Sequence, residues 1–198
     1  MASANGRQDI RIDIALLHYP VLNKAGDTIA SAVTPLDLHD IARAARTYGA
    51  RRFFVVTPLA DQQDLVREVI DHWVTGYGAT YNPTRRDALK RVELADTLDA
   101  VVARMASDGH GSPVVVVTSS RGDAADISYA GLKKELAGGR PHLLVFGTAW
   151  GLAPEMMAAA DLCLAPIRGG ENDYNHLSVR SAATAVLDRL MGLTDDID

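Results

Sequence analysis

The chain has 198 residues, 47% of them hydrophobic, which is enough for one good core that removes about 70% of the unfolded surface. Its formal net charge of -5 excludes a polyanion binder that works through overall charge and leaves room only for a local basic patch. No apolar run approaches the roughly 20 residues of a membrane span, the start MASANGRQD lacks the apolar stretch of a signal peptide, and a single cysteine excludes an internal disulfide or a multi-cysteine metal site; a cytoplasmic protein without metal is expected.

Residues 1–8 and the tail 194–198 are too polar to join a core and are expected to be flexible. IRIDIALLHYPV, from Ile10, alternates and then runs apolar up to Pro20, which predicts a first strand ending near His18. After a loop, NKAGDT, Pro35 opens a helical pattern with Ile41, Ala42, Ala45 and Tyr48 on one side and Gly49 as its stop. RFFVVTP is apolar throughout, as suits a strand covered on both faces. The helix QQDLVREVIDHWVTGYG follows, with Leu65, Val69 and Trp73 on one stripe.

The alternation continues through RVELAD (strand), TLDAVVARMASDG (helix, ended by Gly109), SPVVVVTSS (strand) and ISYAGLKKELAGG (helix). PHLLVFGTAWG and DLCLAPIRGG are strands breaking into glycine-containing loops, and HLSVRSAATAVLDRLMG is the closing helix. Strand and helix alternating over short connections predict an α/β fold on a parallel sheet, in a single domain without linker or repeat. Cys163, within DLCLAP, reads as a buried small hydrophobe.

Ligands of open parallel sheets bind beyond the carboxyl ends of the strands. Three such ends are marked: Val117 leads into TSSRGD, Phe146 into GTAWGL, and Leu164 into APIRGGENDYNHLS. Their small and polar residues offer backbone hydrogen bonds, so one pocket lined by all three is expected. Gly147 and Gly151 permit close approach of backbone to ligand, or serve simply as turns. Neither a GxGxxG after the first strand nor a P-loop is present, which disfavours a dinucleotide or nucleotide-triphosphate site.

HDIARAARTYGARRFFVVTP, LLVFGTAWGL and LAPIRGGENDYNHLSVRSAATAVLDRL occur in order and together resemble the three motif regions of SPOUT RNA methyltransferases. More narrowly, HYPVLNKAGD, TPLDLHDIARAARTYG, the TYNP of residues 80–83 and YNHLSVRSA resemble a small bacterial SPOUT family described as S-adenosylmethionine (SAM)-dependent RNA methyltransferases of undefined target. The resemblance covers nearly the whole chain. It implies the SPOUT (α/β knot) fold with a C-terminal deep trefoil knot, SAM as cofactor, tRNA or rRNA as substrate, and a homodimer whose sites draw on both subunits. It also implies a bare catalytic domain without an RNA-binding extension.

Carried over by position, Thr118, Ser119, Phe146, Gly147, Thr148 and Gly151 would surround the cofactor, with Leu164, Pro166, Ile167 and Gly169 on the adenine side. Tyr174, Asn175, His176, Leu177 and Ser178 would cover it and open the last helix. Arg43 stands where related ribose 2'-O-methyltransferases carry an arginine that helps activate the target hydroxyl. Their accompanying asparagine is Asp37 here, so a ribose target is not carried over, and Arg43 is equally suited to holding a phosphate.

His39, Arg43 and Arg46 share a helix face that is either an RNA patch or a solvated surface offset by Asp37 and Asp40. Arg85 and Arg86, with Lys90 and Arg91, form a second basic cluster in an expected loop, suited to substrate contact. His18 and His176, at strand or loop ends, are candidate proton acceptors or structural histidines, and Glu171 and Asp173 rank below Arg43 and His18 as candidate bases. Methyl transfer from a sulfonium needs alignment and a proton route rather than a metal. The alternatives are a methyltransferase of proteins or small molecules, which the acidic balance permits, and a SAM- or RNA-binding protein without catalysis.

Overall fold

The computed structural model describes residues 10–122, 124–170 and 174–193. The ends expected to be flexible, and Glu171 and Asp173, lie outside the described residues. The first strand, β1 (Ile12–Leu17), is buried along its whole length, and its alternate side chains supply two opposite cores. Ile12, Ile14 and Leu16 face one, while Ala15 and Leu17 face the other.

A short antiparallel pair, β2 (Val21–Leu22) and β3 (Thr28–Ile29), stands where the sequence suggested only a loop. Helix α1 (Pro35–Tyr48) starts at Thr34, whose hydroxyl accepts the Asp37 N–H at 3.2 Å. It ends at Gly49, which adopts φ 83°, a left-handed conformation costly for residues with a Cβ. β4 (Phe53–Val56) and α2 (Ala60–Val74) follow. The inward stripe of α2 runs through Val66, Val69, Ile70 and Trp73 instead of Leu65, because the helix packs against the short helices after it as well as on the sheet.

Of those helices, α3 (Tyr77–Tyr81) begins within the stretch read as the end of the preceding helix, which instead stops at Val74, and α4 (Pro83–Leu89) corrects the expectation of a loop. Asn82 caps α4 by accepting the Arg85 N–H at 3.0 Å, and Pro83 sits at a position where a missing N–H costs nothing. Then come β5 (Val92–Ala95), α5 (Leu98–Met105), a π-helical turn through Gly109, β6 (Val114–Thr118), α6 (Tyr129–Ala137) and β7 (His142–Gly147). A short helix, α7 (Pro154–Ala158), β8 (Leu162–Leu164) and α8 (Val179–Met191) complete the chain.

All six strands of the main sheet are parallel, in the order β5-β4-β1-β7-β6-β8. α1, α2, α4, α6 and α8 cover one face; α5 and residues of α7 cover the other, where Cys163 is buried. Among the described residues no helix is long and apolar enough to cross a membrane.

Near the start of β1 the carboxylate of Asp13 is wholly buried, and the adjoining segment supplies its partner. Arg52 donates to it from Nε at 3.1 Å, from Nη2 at 2.6 Å and from the backbone at 2.9 Å. Burial nevertheless outweighs Arg52 and holds the Asp13 carboxyl above its ordinary value. Arg52 also reaches Asp108 at 2.7 Å, tying β1, β4 and the turn after α5 together. Removing one member of a buried pair strands the other charge. Arg52→Ala should therefore lower unfolding stability by about 3 kcal/mol in urea titrations, and a loss below about 1 kcal/mol would show the pair to be peripheral.

Candidate cofactor cleft

Because β1, β7, β6 and β8 are neighbours in the sheet, their carboxyl ends at Leu17, Gly147, Thr118 and Leu164 lie side by side. A cleft of about 1300 Å³ opens over these ends. It exceeds the roughly 300–1,000 Å³ of most small-molecule sites, so it has room for more than one ligand group. The segment after β8 forms one wall: Asn175 donates from Nδ2 to the Ser120 carbonyl at 2.9 Å, fastening that segment to the loop after β6. Ser178 then caps α8 by accepting the Ser181 N–H at 3.3 Å.

The loop after β7 is held by the β2 segment. Trp150 N–H donates to the Leu22 carbonyl at 3.0 Å, and Leu22 N–H to the Gly151 carbonyl at 2.9 Å. Ala149 has φ 51° and Gly151 φ 107°, so the turn is tight. A Cβ on Gly147 would lie 2.8 Å from the Leu152 backbone nitrogen, and the glycine is therefore needed to let the chain fold back on itself. Several hydroxyls are spent on this shaping. Thr118 donates to the Val145 carbonyl at 3.0 Å, Thr148 to the Leu17 carbonyl at 2.9 Å, and Ser119 accepts the Arg121 N–H at 3.0 Å. The cleft lining combines apolar wall, from Phe146, Leu152, Leu164, Ile167 and Val186, with polar groups that include Tyr129, Asp37 and Arg180. The Tyr129 hydroxyl is buried without a hydrogen bond of good geometry, although Arg189 lies over its ring at 5.2 Å. A flat apolar slot with a few polar groups is what an adenosine needs.

A family model described as SAM-dependent RNA methyltransferase matches residues 11–192. The chain belongs to this family. It is 44% identical over 180 residues to the tRNA (guanine-N(1)-)-methyltransferase of Nitratidesulfovibrio vulgaris, a match covering 90% of this chain and 41% of that protein. The chain thus spans about two fifths of the length of the curated methyltransferases it matches. Among solved structures, it superposes on a putative methylase family protein from Neisseria gonorrhoeae with TM-score 0.62 at 22% identity, covering 94% of this chain and 84% of that one. It also matches the SpoU methyltransferase AviRb of Streptomyces viridochromogenes in complex with SAM, at TM-score 0.55 and 20% identity, covering 93% and 58%. The α/β fold is that of the SPOUT methyltransferases.

For this family member the cleft gathers most of the residues expected around the cofactor. Thr118, Ser119, Phe146, Gly147, Thr148, Gly151, Leu164, Pro166, Ile167, Asn175, His176, Leu177 and Ser178 all line it. Gly169 and Tyr174 do not. A Cβ on Gly169 would meet nothing within 4 Å, and Tyr174 is 74% exposed, with its ring edge-on to His176. The sequence reading missed Ser31, Thr34, Asp37, Tyr129, Trp150 and Arg180, which line the cleft too. Ser31 and Thr34 had no periodic pattern to mark them. Asp37 is held by Thr34 Oγ1 at 2.7 Å and by Arg180 at 3.3 Å, a contact across 143 residues that no local pattern announces.

The residues expected to touch the target sit elsewhere. Arg43 does not line the cleft; it lines a smaller pocket between α1 and α4 with Arg46 and Arg85, so within one chain it is not beside the cofactor. Arg46 pairs with Asp87, and Arg86 is exposed on α4. His39 packs its ring edge-on to Trp73 at 5.5 Å, and burial, with Arg85 and Arg43 adding, keeps its pKa below the ordinary value. Asp37 and Asp40 offset Arg180, not Arg43 or Arg46.

His18, expected as a proton acceptor or a structural histidine, does not reach the cleft either. It is wholly buried at the end of β1, outside the cleft lining, and burial lowers its pKa to about 4. Its Nδ1 meets Ser31 Oγ at 3.1 Å, and Ser31 in turn meets Thr148 Oγ1. The ring therefore orients two cleft hydroxyls from below. Above pH 6.5 the imidazole is neutral whether folded or not; below it the unfolded chain takes up a proton that the folded one refuses until about pH 4. Stability is thus lost as pH falls from 6.5, by about 1.4 kcal/mol per unit from this residue. In urea titrations His18→Gln should shrink the stability difference between pH 7 and pH 5 by about 2 kcal/mol. An undiminished difference would place the acid sensitivity elsewhere.

Proposed function

We propose that the protein transfers a methyl group from SAM to a nucleotide of tRNA or rRNA, acting as a homodimer in the cytoplasm. The observation that carries this reading is the cleft over four adjacent strand ends, walled by the segment 174–178, in a chain of the SAM-dependent RNA methyltransferase family. Residues 118–119, 146–148, 151, 164, 166–167 and 175–178 would hold the cofactor, whose sulfonium supplies an activated methyl carbon. No group of three or more potential metal ligands occurs among the described residues.

The part of the cleft formed by Ser31, Thr34 and Asp37 is left for the target, with Asp37 offering a carboxylate acceptor to a target N–H or O–H. His18 acts as a positioning residue through Ser31, and Arg43 serves the substrate through a phosphate instead of the reacting atom. The Asn175 bond to Ser120 and the bridge between Ile127 and Leu164, which hold described residues after β8 against residues after β6, support the trefoil knot of the SPOUT fold. Exposed Leu36 and Leu177, near the first turns of α1 and α8, offer a partner subunit apolar surface beside the cleft. We take residues 1–198 as one methyltransferase domain.

The name of the Nitratidesulfovibrio relative makes tRNA the first RNA to try. Incubated with tritiated-methyl SAM and unmodified tRNA and rRNA transcripts, the protein should place label in ribonuclease-sensitive material. Label found only in protein or small molecules, or none in any fraction from folded protein, would refute RNA methylation.

A further inference from the structure

Helices α3 and α4 form a surface that the cofactor cleft does not use. Tyr77 and Tyr81 are 75% and 72% exposed, although their rings are stacked with centroids 6.0 Å apart and planes 23° from parallel. Large aromatic side chains left this bare keep apolar ring surface in water that a partner could cover, and they present a ready flat face. The residue after Tyr81 is Asn82, which lines the pocket of about 240 Å³ between α1 and α4. The other lining groups include Arg43, Arg85, Thr84 and Arg46.

Two of these cations are uncommitted. Arg46 is engaged by Asp87, but Arg43 and Arg85 have no carboxylate partner among the described residues. Arg85 is instead fixed over the Trp73 ring at 4.5 Å, and a Cβ on Gly78 would lie 2.7 Å from that same ring. Trp73 therefore anchors both the arginine and the helix that carries the tyrosines, so the surface is formed before anything binds. Paired guanidinium groups with hydroxyl and amide neighbours suit a phosphate, and adjoining exposed aromatics suit a nucleobase.

Resting on the reading of RNA as substrate, we propose that this surface docks a single-stranded RNA segment, with a backbone phosphate held between Arg43 and Arg85 and a neighbouring base stacked on the Tyr77–Tyr81 pair. A protein of net charge -5 gains no general attraction for RNA, so a local site of this kind supplies the affinity. Stacking tolerates any base, and the surface therefore contributes affinity and placement while sequence choice stays with the cleft.

The test uses the full chain and a fluorescein-labelled oligouridylate titrated at several salt concentrations. Wild type should bind, with log affinity falling linearly against log salt. Arg43→Ala combined with Arg85→Ala should weaken binding by roughly tenfold or more and flatten that slope by about one to two. Tyr77→Ala combined with Tyr81→Ala should weaken it roughly fivefold or more and leave the slope unchanged. SAM affinity and melting temperature report that each variant is folded. Variants that bind like wild type, a wild type that fails to bind at low salt, or polyglutamate competing as well as oligouridylate with the tyrosines irrelevant, would each overturn the proposal. Methyl transfer is scored separately: a wild type that methylates RNA while all variants bind normally loses only this surface, whereas split slopes without transfer retain the surface and remove the activity.

Discussion

The position of β7 between β1 and β6 is the constraint on which the site depends. That strand is paired on both sides in parallel register, Ile14 and Val116 flanking Leu144, and the pairing brings the end of β1 next to the ends of β7, β6 and β8. Each of these ends then turns into a loop at the same edge of the sheet. Ligand groups placed there meet backbone from segments that are far apart in sequence, and the rigid sheet fixes their spacing. Burial on both faces makes the arrangement hard to deform, since every strand residue from Ile12 to Leu17 is enclosed.

A second layer of polar contacts sets the shape of the loops. The β2 segment grips the turn after β7 through Leu22, and buried His18 supports Thr148 through half-buried Ser31. Thr34 and Arg180 hold Asp37 at the other end of the cleft, where α1 and α8 pack together. Hydroxyls that the sequence suggested as direct ligands thus act mainly by fixing backbone. The apolar walls and main-chain groups that border the cleft suit a flat purine.

Much of the fold was legible because its strands are short apolar runs and its first helix carries end signals, Pro35 at its start and Gly49 at its stop. The three glycine-containing loops after Val117, Phe146 and Leu164 also marked the cleft before any coordinates. What escaped was either short or non-local. The start of α3 reads as part of α2, whose end at Val74 the sequence does not mark strongly, and α4 begins at Pro83 in a stretch that reads as loop although Asn82 caps a helix there. β2 and β3 are two residues each, too brief for a period to show. The helix bearing Arg43 was recognised, but which cavity its exposed face borders depends on α4, whose packing no local pattern encodes. At a strand end His18 could be read as a base or as a structural histidine, and its complete burial, which favours the second, depends on packing that no local pattern encodes.

The proposed function depends on the cleft as the cofactor site. Calorimetric titration of the purified protein with SAM and with S-adenosylhomocysteine tests this most directly. Saturable binding at one ligand per subunit, abolished by a bulky residue at Gly147 that leaves the protein folded, is the predicted result. Folded wild-type protein that binds neither compound would leave the SPOUT fold in place and contradict the function assigned to it.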